Sequence, residues 1–119
     1  MKKTILLTTL FLFLLTGKAF SQVFVEDVNI NELDIKYVQL LGVNTSIFGV
    51  KIKVYVDYGQ KVKLLKGSKI KDADGNVMKF NSMTDALNFM YKNGWEYVNY
   101  TEVYLNGKLR YVYLLQKKE

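Results

Sequence analysis

Residues 82–116 read SMTDALNFMYKNGWEYVNYTEVYLNGKLRYVYLLQ, and this stretch decides the fold. Ser82 stands where a helix N-cap belongs, and Asp85 three positions on resembles the acidic half of a capping box, with Asp in place of Glu or Gln. Met83, Ala86, Leu87 and Met90 follow at i, i+3, i+4 and i+7, which is one apolar stripe along a helix. Asp85 near the start and Lys92 near the end both suit the helix dipole. Asn93-Gly94 closes the helix, with Gly94 as a left-handed residue just past its end. A methionine stripe can line a ligand pocket, but packing on a sheet is the simpler account of the same period.

Beyond the helix stop, Trp95–Leu105 and Lys108–Gln116 have strand composition and flank Asn106-Gly107, the strongest short hairpin signal. The turn sets the register, with Leu105 opposite Lys108 and Tyr104 opposite Leu109. Without a bulge, one face of the hairpin carries Val98, Tyr100, Tyr104, Leu109, Tyr111, Tyr113 and Leu115. The other carries Trp95, Tyr97, Val103, Val112 and Leu114, with Asn99, Thr101, Lys108, Arg110 and Gln116. Neither face is plainly polar. The helix can therefore pack on the tyrosine face, or leave it to solvent and cover the other, and a bulge would swap faces along part of a strand.

Upstream, Phe48 to Asp57 alternates Phe48, Val50, Ile52, Val54 and Val56 with Gly49, Lys51, Lys53, Tyr55 and Asp57. That period of two describes a strand with one face on the core. Ile35–Leu41 reads as its neighbour, ended by Gly42, with Gly42 to Phe48 as the connection. Val23-Phe24-Val25 is a short apolar stretch, and Asp27 to Glu32 reads as irregular chain or a turn. Residues 61–71 are Lys-rich and without clear pattern. Asp72-Ala73-Asp74-Gly75-Asn76 reads as a tight turn. A calcium loop would need a bidentate Glu at its twelfth position, and counted from Asp72 that position is Met83.

At the other end, Met1-Lys2-Lys3 precedes an apolar run from Ile5 to Leu15 and then Ala19-Phe20-Ser21. A positive start, a short apolar run and small residues two apart make a secretory signal peptide cut before Gln22. The run is shorter than the roughly 20 residues of a membrane span, and Gly17-Lys18 ends it. No cysteine follows to carry a lipid. The expected organisation is residues 1–21 as signal peptide and 22–119 as a single α+β domain. That domain is expected to be a mainly antiparallel sheet of four to five strands with one helix on a face. Its expected location is outside the cytoplasm, periplasmic or secreted, with no stable membrane anchor after cleavage.

Loss of Lys2, Lys3 and Lys18 with the leader lowers the formal net charge from +6 to +3. That is a weaker basic balance than nucleic-acid binders concentrate on one face, and nucleic acid is not an expected partner. Cys and His are both 0. The usual metal ligands and the usual nucleophile–base pairs are therefore missing, so no metal, cofactor or catalytic residue is expected. Among the carboxylates, Asp72 and Asp74 belong to the turn and Asp85 to the helix cap. Glu96 and Glu102 fall on one strand face, nearly 20 Å apart at about 3.3 Å per residue, too far for a catalytic pair.

The run Ala86–Lys117, with its capped helix, Gly94-Trp95-Glu96 corner and final strand ending Tyr113-Leu114-Leu115-Gln116-Lys117, resembles a group of small bacterial exported domains of unknown function. Asp57-Tyr58-Gly59-Gln60 is similar to exported members of that group. The resemblance implies a sheet with a helix on one face and brings no activity.

The reading that follows is an exported, non-enzymatic binding or interaction domain with a protein or glycan partner. Tyr number 9, all in the mature part, and Tyr offers a flat ring with a polar tip. The candidate binding face is Tyr100, Tyr104, Tyr111 and Tyr113. Strand tyrosines also serve simply as cross-strand packing. The alternatives are a small inhibitor or assembly subunit pairing through a strand edge, and a carboxylate-dependent hydrolase.

Overall fold

The computed structural model describes residues 21–45, 52–61 and 68–119. The proposed leader and the stretch Phe48–Lys51 of the expected second strand lie outside the described residues, apart from Ser21. Among the described residues, no helix is long and apolar enough to cross a membrane.

The elements are β1 (Phe24–Val25), β2 (Val28–Asn29), a 3-10 turn at Ile30–Glu32, β3 (Tyr37–Asn44), β4 (Ile52–Asp57), β5 (Ile70–Lys71), α1 (Met83–Lys92), β6 (Trp95–Leu105) and β7 (Lys108–Lys117). The four long strands form an antiparallel sheet in the order β4-β3-β7-β6. The expected α+β class is what forms, but the expected single sheet is not. A second sheet, β2-β1-β5, is built from strands of two residues each. Strands that short have no alternation to read, which is why Asp27–Glu32 reads as irregular chain although it holds β2 and the 3-10 turn.

Helix α1 begins as its sequence requires. The Ser82 hydroxyl accepts the Asp85 N–H at 3.1 Å, and the Asp85 carboxylate accepts the Asn81 N–H at 2.9 Å. Met83, Ala86 and Met90 are buried and Leu87 partly so, which makes the methionine stripe a packing surface. Gly94 sits at φ 91°, and the chain turns directly into β6. The Asn106-Gly107 turn has both residues at positive φ, 53° and 71°, and produces the expected register.

The core lies between α1, the small sheet and one face of the large sheet. Val38 and Leu40 of β3, Val54 and Val56 of β4, and Leu115 of β7 meet Val25, Ile30 and Ile70 from the other side. Gly42 allows α1 to sit close on β3. A Cβ there would lie 2.2 Å from the Met83 sulfur and 3.1 Å from its Cγ.

Trp95 is 1% exposed and is tied to the N-terminal segment through Asn31. The Asn31 side-chain oxygen accepts the Val23 N–H at 2.9 Å and the Trp95 indole N–H at 3.3 Å. Its amide donates to the Asn93 carbonyl at the helix end, 2.7 Å away. One side chain therefore joins β1, α1 and β6.

The strand β6 contains a bulge. Tyr97 pairs with Leu115 and Asn99 with Leu114, so Val98 is an extra residue. This corrects the face assignment made without a bulge. Trp95 and Tyr97 lie on the helix side of the sheet together with Tyr100, Tyr104, Tyr111 and Tyr113. Burial of Trp95 beside the helix selects this arrangement, because it is the largest fully buried side chain. The bulge also separates Glu96 from Glu102, which stand on opposite faces rather than one.

Candidate functional site

The sheet presents two surfaces that α1 does not cover. The first is the outer part of the helix-side face, along β6. The edge of β4 is bridged by Lys69 and Phe80, and the Val56 N–H donates to the Ser68 carbonyl at 2.8 Å. Strand β6 forms the other edge of the sheet. Beyond Trp95 its side chains are exposed or half-buried.

All four candidate tyrosines stand on this face, brought there by the turn register. Tyr111 and Tyr113 are half-buried against the core, Tyr100 is half-buried, and Tyr104 is 72% exposed. Tyr97, which the unbulged register placed on the other face, joins them at 57% exposed. The Tyr113 ring is 4.6 Å from that of Tyr100 in a tilted contact and 6.3 Å from that of Tyr97 in an edge-to-face one. This is aromatic packing of the kind that rigidifies a strand surface.

The Tyr100 hydroxyl donates a short hydrogen bond to the Glu102 carboxylate, and that bond holds the phenol protonated well above its ordinary range. Burial, with Tyr97 and Tyr111 nearby, raises the Tyr113 phenol too. Both therefore act as neutral hydroxyls.

The edge itself has a readable pattern. In a two-residue hairpin the residues flanking the turn exchange bonds, so Tyr104, Glu102 and Tyr100 turn their backbone groups outward. The Tyr100 N–H is occupied by the Asn99 side-chain oxygen at 2.8 Å. The strand carries no Lys or Pro, the usual protections of an open edge.

The second surface is the face opposite the helix. A concavity of about 370 Å³ crosses it, lined by Gln39, Leu41, Asp57, Val103, Leu105, Asn106, Arg110 and Val112. A smaller hollow of about 140 Å³ adjoins it at Gln39 and Val112. Nothing in the sequence selected these residues as a site. The available signal was the mixed composition of this face, where Val103, Val112 and Leu114 alternate with Arg110 and Gln116.

Three further carboxylates, Asp72, Glu96 and Glu26, are engaged structurally. Asp72 accepts the N–H groups of Asp74 and Asn76 at 3.0 and 2.9 Å, which makes the tight turn. Glu96 accepts from the Gln116 amide at 2.8 Å across the strands. Glu26 pairs with Lys71 at 2.7 Å, joining β1 to β5. Among the described residues no cluster of acidic, His or Cys side chains is arranged to hold a metal.

Comparison with protein-family models, with curated proteins and with solved structures found no match.

Proposed function

We propose that this chain is an exported, non-enzymatic binding domain whose helix-side tyrosine surface engages a protein or glycan partner. The observation that carries the reading is the exposure of Tyr104 and Tyr97 beside the half-buried Tyr100, Tyr111 and Tyr113. Exposed rings anchored on packed ones give a rigid, flat, amphipathic surface, which suits sugar stacking and protein contact alike. The protonated hydroxyls of Tyr100 and Tyr113 suit hydrogen bonding rather than nucleophilic chemistry. The separation of Glu96 from Glu102 also weighs against a hydrolase. Export to the periplasm or beyond rests on the leader-like residues 1–21 and agrees with the resemblance of the Gly94-Trp95-Glu96 corner and hairpin to small exported domains.

A second reading has one specific observation behind it. The outward backbone groups of Glu102 and Tyr104, with no Lys or Pro on β6, suit strand addition by a partner. The two readings separate in one experiment. Purified domain lacking residues 1–21 is probed on a glycan array and in pull-down from the producing cell, with Tyr104→Ala and Tyr97→Ala as variants. Tyr104 is largely in solvent, so Tyr104→Ala should stay within about 0.5 kcal/mol of the parent in stability, while Tyr97→Ala also loses the edge contact with Tyr113 and should cost about 0.5–1.5 kcal/mol without unfolding the domain. Loss of binding in both supports the tyrosine surface. Binding that survives both but is lost in Glu102→Pro supports edge pairing, because that change removes an outward N–H and spares the inward N–H groups of Thr101 and Val103 that face β7. Unchanged binding in all three variants refutes both readings.

A further inference from the structure

We propose that the concavity on the face opposite the helix is a binding site for a small amphipathic monocarboxylate, with Arg110 as its anion anchor. The site lies on the other side of the sheet from the tyrosine surface and stands independently of it.

The argument begins with Arg110. Its Nε is shielded from water and has no hydrogen-bond partner in the structure. Buried polar groups are ordinarily bonded, and an unbonded Nε–H calls for an acceptor. Its fork geometry matches a carboxylate, which takes two parallel N–H bonds at once. The surroundings are apolar: Leu41 is 6% exposed, Val112 is half-buried, and Val103 and Leu105 stand at the rim. A free inorganic anion would gain little from such walls, whereas an alkyl or aryl tail buries against them. The volume of about 370 Å³ falls within the range of small-molecule pockets.

The register defines the long axis of the site. Arg110 pairs with Val43 and Asp57 with Gln39, so the two charges stand two strands and four residues apart. At roughly 4.8 Å per strand and 3.3 Å per residue, their Cα atoms are about 16 Å apart. Among the described residues the only ion pair is Lys71–Glu26, so these two charges do not neutralise one another. Asp57 already accepts the Gly59 N–H at 2.9 Å and is held in place. An acid bound at Arg110 lays its tail over Leu41 and Val112 toward Asp57. A second carboxylate at the far end of the ligand would meet that aspartate and be rejected.

The test uses decanoate, below its micelle concentration, titrated into the isotopically labelled domain at neutral pH and followed by amide NMR. Decyltrimethylammonium and decanedioate are the comparison probes. Saturable decanoate binding is expected, with shifts centred on Leu41, Val103, Leu105, Arg110 and Val112. Arg110→Gln should weaken it about tenfold or more, the worth of a charge-assisted pair, and Arg110→Lys by less. Decanedioate should bind more weakly than decanoate, and Asp57→Asn should narrow that gap. The amide spectrum of each variant reports its folding, so a misfolded variant is replaced by the other at Arg110. The proposal is overturned if decanoate does not saturate, if decyltrimethylammonium binds equally well, or if folded Arg110 variants bind decanoate unchanged.

Discussion

Replacing Asn31 with alanine removes three hydrogen bonds at once: from the Val23 N–H, from the Trp95 indole N–H and to the Asn93 carbonyl. Each such bond contributes about 1 kcal/mol net, and the buried indole would be left without an acceptor. The expected loss is therefore about 3 kcal/mol, large for a residue outside every long strand and the helix. Asn31→Asp separates the components. It keeps an acceptor for Val23 and Trp95 but loses the donor to Asn93 and sets a negative charge beside the helix C-terminus, so about 1–2 kcal/mol is expected. The assay is urea unfolding followed by fluorescence of Trp95, the single tryptophan of the chain. With a urea slope of about 1–1.5 kcal/mol/M, the Asn31→Ala midpoint should fall by about 2–3 M. A midpoint shift below about 0.4 M would mean that Asn31 does not hold the three elements together. A greater loss from Asp than from Ala would reverse the assigned roles of its two side-chain atoms.

Three other perturbations test the packing. Gly94→Ala forces a side chain into positive φ, with Asn31 Nδ2 only 3.3 Å from the new Cβ, and should cost at least about 1 kcal/mol in the same urea assay. Gly42→Ala should cost about 1–3 kcal/mol by overpacking against Met83, and combining it with Met83→Ala should give less than the sum of the single losses. The Glu26–Lys71 pair makes a pH prediction: Lys71 holds the Glu26 carboxyl below its ordinary value, and Glu26 raises the Lys71 ammonium. The parent's advantage over Glu26→Gln in thermal melts should be present at neutral pH. It should vanish as pH falls through the lowered Glu26 value or rises through the raised Lys71 value, and it should shrink with added salt.

The parts of the fold legible in the sequence are those set by local chemistry. The Ser82 cap, the stop at Gly94 and the Asn106-Gly107 turn depend on neighbours within a few residues, and all three form as read. The second sheet was hidden because its strands are two residues long and its register depends on contacts distant in sequence, such as Phe24 opposite Lys71. The bulge at Val98 was hidden for a different reason. Both alternations of β6 place apolar residues on each face, and only the demand to bury Trp95 chooses between them. The tyrosine stripe was legible through turn register, except for Tyr97, which the bulge adds. Arg110 and Asp57 were not legible as partners in a site, since four strands must be ordered before they share a concavity.

The extra residue at Val98 divides β6 into two stretches with independent parity. Trp95 and Tyr100 are five positions apart, an odd count that would set them on opposite faces of a regular strand; one unpaired residue restores them to the same side. Deleting Val98 would therefore act as a phase error, expelling Trp95 from the core or turning every tyrosine beyond it to the other face. Lengthening the hairpin by two residues on each strand keeps the phase. The distal half of this hairpin can consequently change in length and surface without disturbing its anchor, provided the changes come in even steps.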